Sequence, residues 1–237
     1  MSDILSLAED IADELLIHRP VGLVAETDNH EAQAILRHMT RTCRQLAAEY
    51  DWEKITREHT FTTVAAAEQT SGIPTGYLRM IQDTAFNRTA RTRVCGPLTK
   101  DEWQQRQASL TVNVYDEFIM RGGNFYLTPT PPAGETIAYE YITKYIAIDT
   151  TETTERLRFE DDGDIPYFDD ELLILGTIWR YRKAEGTDYA EEKLEYEMRK
   201  ADLIKMDGGR RVLRMDGGSA IERYPYPPSV PETLIFE

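Results

Sequence analysis

The stretch from Phe159 to Asp202 constrains this chain more than any other, because it spells two consecutive helices joined by a turn. Asp169 or Asp170 is placed to N-cap a helix carrying Leu172, Leu173, Ile174, Leu175, Ile178 and Trp179, an apolar set that covers most of its circumference. Such a helix must be buried. Gly186 is positioned to end it in the left-handed region, and Asp188 with Glu191 reads as an acidic capping box for a second helix. There Ala190, Leu194, Met198, Ala201 and Ile204 recur at steps of three or four, an amphipathic pattern that predicts packing back on the first helix. Leu172, Leu175, Ile178, Trp179, Leu194 and Met198 are therefore the expected core residues.

Ile4, Ala8, Ile11 and Leu15 mark another helix over roughly residues 3–17, stopped by His18-Arg19-Pro20. Asp28 and Glu31 form a D-x-x-E cap for the next, whose stripe runs Ala32, Ile35, Leu36, Met39, Cys43, Leu46, Ala47 and Tyr50. From Trp52 the period changes. Arg57 to Val64 is rich in threonine and β-branched residues, and Tyr77–Ile81 and Thr92–Cys95 are further strand candidates. Thr99 can cap a short helix, Gly122-Gly123 joins two strands as a hairpin, and Ile137, Tyr139 and Tyr141 alternate along another strand. The expected fold is α+β: an antiparallel-type helical bundle formed by the N- and C-terminal helix pairs, with an inserted β-rich small sandwich or barrel and an extended C-terminal arm. The corresponding segments are 1–52, 53–148, 149–208 and 209–237. As an extended arm, residues from Leu213 to Glu237 could reach on the order of 80 Å at about 3.3 Å per residue.

Several function classes are disfavoured by composition. With 27 Lys+Arg against 42 Asp+Glu, the net charge of -15 argues against a surface that grips nucleic acid, so contact with DNA should be repulsive or passing. The acidic first helix excludes a signal peptide, and no apolar run approaches the roughly 20 residues of a membrane span. A soluble protein made in the cytoplasm is expected. Cys43 and Cys95 do not suggest a disulfide framework.

Glu160, Asp161, Asp162 and Asp164 invite a calcium-loop or hydrolytic reading, but their spacing is wrong for an EF-hand, and a solvated acidic loop before a helix N-terminus suffices. His18, His30, His38 and His59 show no zinc-ligand spacing. Neither a nucleophile elbow nor a phosphate loop is present. No catalytic, metal or cofactor residue is expected. Trp52, Trp103 and Trp179 read as core anchors, since none lies in a basic stretch. In the arm, Tyr224, Pro225, Tyr226, Pro227 and Pro228, followed by Leu234, Ile235 and Phe236, form a candidate partner-binding strip.

The order of these parts resembles a known family. Two helices precede DWEKITREHTFTTV; then come DTAFNRTARTRVCGPLTKDEWQQ, RGGNFYLTPTPPAGETIAYEYIT and DDELLILGTIWRYRKAEGTDYAEEKLEYE. The arrangement, over roughly Ser2 to Gly208, is similar to that of the head-to-tail adaptors of tailed bacteriophages, the podovirus-like branch also called tail tubular or head-completion proteins. That resemblance implies a non-enzymatic structural protein of the virion neck. It implies a ring, usually a dodecamer, that joins the portal protein to the tail and leaves a channel for DNA during ejection. Its partners would be portal, tail nozzle or fibre proteins and other copies of itself, with genomic DNA only passing through. An alternative within the virion is a tail nozzle or tail-tube component that anchors fibres. A third reading, from another class, is a cell-wall glycan hydrolase using Asp161, Asp162 or Asp164, which requires two facing carboxylates about 5 to 10 Å apart in a cleft.

Overall fold

Five α-helices and eleven short strands make up the protein in a computed structural model that describes residues 2–26, 28–109 and 115–207. The chain divides into two compact units: Met1–Thr56 with Ile142–Arg210, and, among the described residues, Arg57–Tyr141.

The first unit holds α1 (Ile4–Leu15) and α2 (His30–Glu49) from the N-terminal segment. From the later segment it takes β9 (Ala147–Ile148), β10 (Glu155–Arg156), β11 (Ile165–Pro166), α4 (Asp170–Glu185) and α5 (Ala190–Met206). Local chemistry sets the helix ends. Asp3 caps α1 by accepting from Ser6 N at 2.9 Å, and Asp169 caps α4 by accepting from Leu172 N at 3.0 Å. Gly186 closes α4 at φ 77°. Two caps differ from the sequence expectation. Asn29, rather than Asp28, accepts the amides of Glu31 and Ala32 at 3.2 Å, and Asp188 accepts only Ala190 N, with Tyr189 in the cap position of α5. Helix α1 also stops before its proline, at Leu16, whose φ of 56° is left-handed.

Helix α4 packs against α1, α2 and α5, as a helix apolar around most of its surface must. At Gly176 the approach is closest: a Cβ there would lie 2.6 Å from the Thr42 methyl of α2 and 3.0 Å from the Tyr196 ring of α5. Leu172 and Ile178 are buried, while Leu175 and Trp179 are half-buried. Leu194 and Met198 are not core residues: they are 61% and 60% exposed. Helix α5 docks through Tyr196, its one fully buried side chain, and the stripe of Leu194 and Met198 lies on the opposite side of the helix.

The second unit contains β1 (Thr56–Thr62), β2 (Glu68–Gln69), β3 (Tyr77–Met80), β4 (Phe86–Asn87) and β5 (Thr92–Arg93). It continues through α3 (Lys100–Ala108), β6 (Glu117–Arg121), β7 (Asn124–Thr128) and β8 (Thr136–Thr143). Strand β8 is central, pairing with β1, β3 and β4, with β5 beyond β4; a separate three-stranded sheet runs β2-β7-β6. The β6–β7 hairpin pairs Arg121 with Asn124 across Gly122-Gly123. Phe61, Phe118, Phe125, Leu127, Ile137 and Tyr139 form the core, with Phe118 and Phe125 stacked at 4.9 Å. Thr99 and Glu102 form a reciprocal capping box on α3, whose Trp103 is buried and meets the Tyr126 ring at 6.2 Å.

The α+β class stands, but the expected architecture of two helix pairs forming a bundle around an inserted sandwich or barrel does not. One helix, α4, is the hub for three others, and α1 and α2 meet it more than they meet each other, so the helices do not resolve into two pairs. The same unit carries its own antiparallel sheet, β10-β9-β11, and the second unit combines its strands with a helix, α3. The C-terminal arm lies outside the described residues.

Candidate functional site

The acidic loop is only partly solvated: Glu160 and Asp161 are exposed, while Asp162 and Asp164 turn inward to tie the fold together. Asp164 is fully buried; its carboxylate pairs with Arg156 at 3.0 Å and accepts the amides of Glu160 and Asp161 at 2.7 and 3.1 Å. The Asp162 carboxylate accepts from Leu23 N and Val24 N at 3.0 and 2.9 Å. Backbone carbonyls of Asp164 and Asp162 take up Ile4 N and Leu5 N, satisfying amides at the start of α1 that have no partner within the helix. Burial of Asp164 is thus matched by an ion pair and hydrogen bonds, and these carboxylates serve the fold. The long-range partners, from residues 23 and 24 to Arg156, carry no local sequence signal.

A pocket of about 390 Å³ beside α4 and α5 is lined by Asp169, Asp170 and Asp207 together with Trp52, Tyr167 and Phe168. Its carboxylates are likewise engaged. Asp169 caps α4 and pairs with Arg199 at 3.1 Å, Asp170 accepts from Ser2 Oγ at 3.0 Å, and Asp207 accepts from Glu53 N at 3.1 Å. Among the described residues no three His, Cys, Asp or Glu side chains gather as a metal site would require. Cys43 is buried, and burial pushes its thiol far up; Cys95 is exposed.

What the first unit does present is surface. Arg180 lies buried between helices, donating to Gly176 O at 2.6 Å and to Gln45 Oε1, with its guanidinium 4.3 Å from the Trp179 ring centroid. Beyond this anchor, α5 turns Leu194, Met198 and Met206 to solvent. Near the end of α1, the Glu14 carboxyl is pushed above its ordinary 4.5, first by burial and then by the neighbouring charges of Glu171, Asp10 and Glu195. Like charges crowd there. The candidate strip Tyr224, Pro225, Tyr226, Pro227, Pro228, Leu234, Ile235 and Phe236 lies outside the described residues.

Comparison with known proteins gives the chain a family. The family model for the SU10 adaptor protein matches residues 2–223. The chain belongs to the SU10 adaptor protein family. It is therefore a structural adaptor of a bacteriophage virion, associated with other virion components, in a family whose members are generally non-enzymatic. No helix among the described residues is long and apolar enough to cross a membrane. A search of curated proteins found no match.

Proposed function

We propose that this adaptor forms a ring, dodecameric as in the proteins it resembles, which joins the portal to the tail and leaves a channel for the genome. The observation that carries the reading is the family match over residues 2–223, nearly the whole chain. Apolar surface left open on α5 by Leu194 and Met198 supports it, since an adaptor needs faces for partners. The arm strip from Tyr224 to Phe236 makes the contact with portal or with a neighbouring subunit. Twelve copies at -15 each place on the order of 180 negative charges around the bore, and like charge on the lining keeps DNA from sticking as it passes. Cryo-electron microscopy of the infectious particle tests the assignment: a ring of this polypeptide is expected between portal and tail, with acidic side chains lining the channel. A neck built without this polypeptide overturns the function, and a basic lining overturns the account of the charge.

A further inference from the structure

Helix α2 buries Ile35, Met39, Thr42, Cys43 and Leu46, and turns His38 and Gln45 toward α4, where they meet Tyr181 and Arg180. At about 100° per residue, Arg37, Arg41 and Arg44 project from the other side of the helix. There they line an open pocket of about 430 Å³ with Arg158, over Leu36 and Phe159. All four guanidinium residues are exposed, and none has a carboxylate partner among the described residues. In a chain of net charge -15, four unneutralised arginines in one pocket call for an anionic partner.

The same unit carries a match. Glu14, Glu31 and Glu185 line an open pocket of about 480 Å³ at the end of α1, where Arg182 is already engaged by Glu192. On its rim stands Leu16, 92% exposed and held at φ 56°, a conformation unfavourable for an L-residue. That conformation is the C-cap of α1, with Leu16 N and Ile17 N bonded back to helix carbonyls, and it leaves a large apolar side chain standing in solvent where a neighbouring subunit could cover it.

We infer that the two faces meet between copies: the carboxylate pocket of one subunit docks on the arginine pocket of the next, with Leu16 set against Leu36 and Phe159. This rests on the ring reading above. Because the faces are different, the contact is heterologous, the type that closes into a ring when its rotation permits. Apolar residues in both pockets favour protein over DNA, whose phosphates need positive charge and no apolar floor.

Charge reversal in the full-length chain provides the test, read by sedimentation at about 50 and 500 mM NaCl. Wild type should self-associate, more weakly at the higher salt. R41E/R44E and E14K/E185K should each weaken association at least about tenfold. Mixed together they should associate again, since the unaltered carboxylate face of R41E/R44E meets the unaltered arginine face of E14K/E185K and restores the native junction between the two variants. All four side chains are exposed, so circular dichroism should be unchanged; R41Q/R44Q, a milder change, should weaken association by about threefold to tenfold. Wild type that stays monomeric at about 1 mM in low salt overturns the interface, as do reversed variants that associate like wild type or a mixture that fails to recover. Retention of a short DNA duplex that R41E/R44E abolishes, with self-association untouched, also overturns it and assigns the arginines to nucleic acid. Any of these leaves the neck position to be decided by microscopy of the particle, so the two readings fail separately.

Discussion

Replacing Gly176 by alanine sets two opposed effects against each other, and the geometry decides the sign. Alanine in a helix interior is favoured over glycine by about 0.8 to 1 kcal/mol. The new methyl, however, would lie 2.6 Å from Thr42 Cγ2 and 3.0 and 3.3 Å from two carbons of the Tyr196 ring. Neither neighbour yields easily. Thr42 is fully buried with its hydroxyl donating to His38 O at 2.8 Å, so rotating its methyl away breaks that bond, and Tyr196 is fully buried as the anchor of α5. Overpacking costs about 1 to 3 kcal/mol, and a 2.6 Å contact with a neighbour that cannot move belongs in the upper part of that range, about 2 to 3, so G176A should be less stable by about 1 to 2 kcal/mol despite its better helix propensity. Amide exchange of α4 and α5 in the full-length chain reads this locally, as roughly fivefold to thirtyfold faster opening. T42S removes the offending methyl and keeps the hydroxyl. It should be mildly destabilising alone and should restore most of the loss in the double variant, a coupling of about 1 kcal/mol or more. A G176A protein as stable as wild type, or a double variant no better than the sum of its parts, would refute the claim that α2, α4 and α5 meet at this glycine.

Removing the buried carboxylate with D164A strands Arg156 and frees the amides of Glu160 and Asp161; a loss of about 3 kcal/mol or more is expected in urea unfolding, with faster exchange at Ile4 and Leu5. The imidazole of His38 is held below its ordinary 6.5 by burial first, then by the charges of Arg180, Arg37 and Arg41. A depressed folded value means that the unfolded chain takes the proton first, so its contribution is present above pH 6.5 and is lost as pH falls through the folded value. Stability measured by urea titration should decline between about pH 7 and 5.5, and His38→Gln should flatten that decline.

Helix termini were the most legible features, because capping is local chemistry: Gly186 and Thr99 read correctly from the chain, and Asp169 proved to be the cap of the Asp169–Asp170 pair. Asp28 was read as the cap of α2 and the next residue, Asn29, takes that role, because both side chains cap well and nothing local separates them. The apolar stripe of α5 misled for a different reason. Periodicity finds a face but not what covers it, and the aromatic face around Tyr196 won the contact with α4 while Leu194 and Met198 were left outside. Asp162 and Asp164 were misread as solvated because their partners, Leu23, Val24 and Arg156, are brought to them only by the fold. The arginines of α2 were missed although their spacing, i, i+4 and i+7, was visible; a net charge of -15 concealed a local excess of the opposite sign. Arg158 joins them through tertiary structure, with no sequence signal.

That local excess bears on how so acidic a protein can assemble and still let DNA pass. Repulsion between identical copies at -15 opposes any ring, and at physiological salt, with a screening length of about 8 Å, only charges in contact can offset it. Scattering the arginines over the surface would offer many weak, screened pairs and leave positive charge exposed to phosphate. Gathering Arg37, Arg41, Arg44 and Arg158 in one pocket does the reverse: docked against Glu14, Glu31 and Glu185 of a neighbour, as proposed, they would be desolvated, paired and hidden. In that interface Leu16 would exclude water at the junction and so strengthen the pairs around it. With the arginines taken up at the proposed seam, the charge left on the rest of the subunit is more acidic still, so attraction at the seam and repulsion in the proposed bore would follow from one segregation of charge.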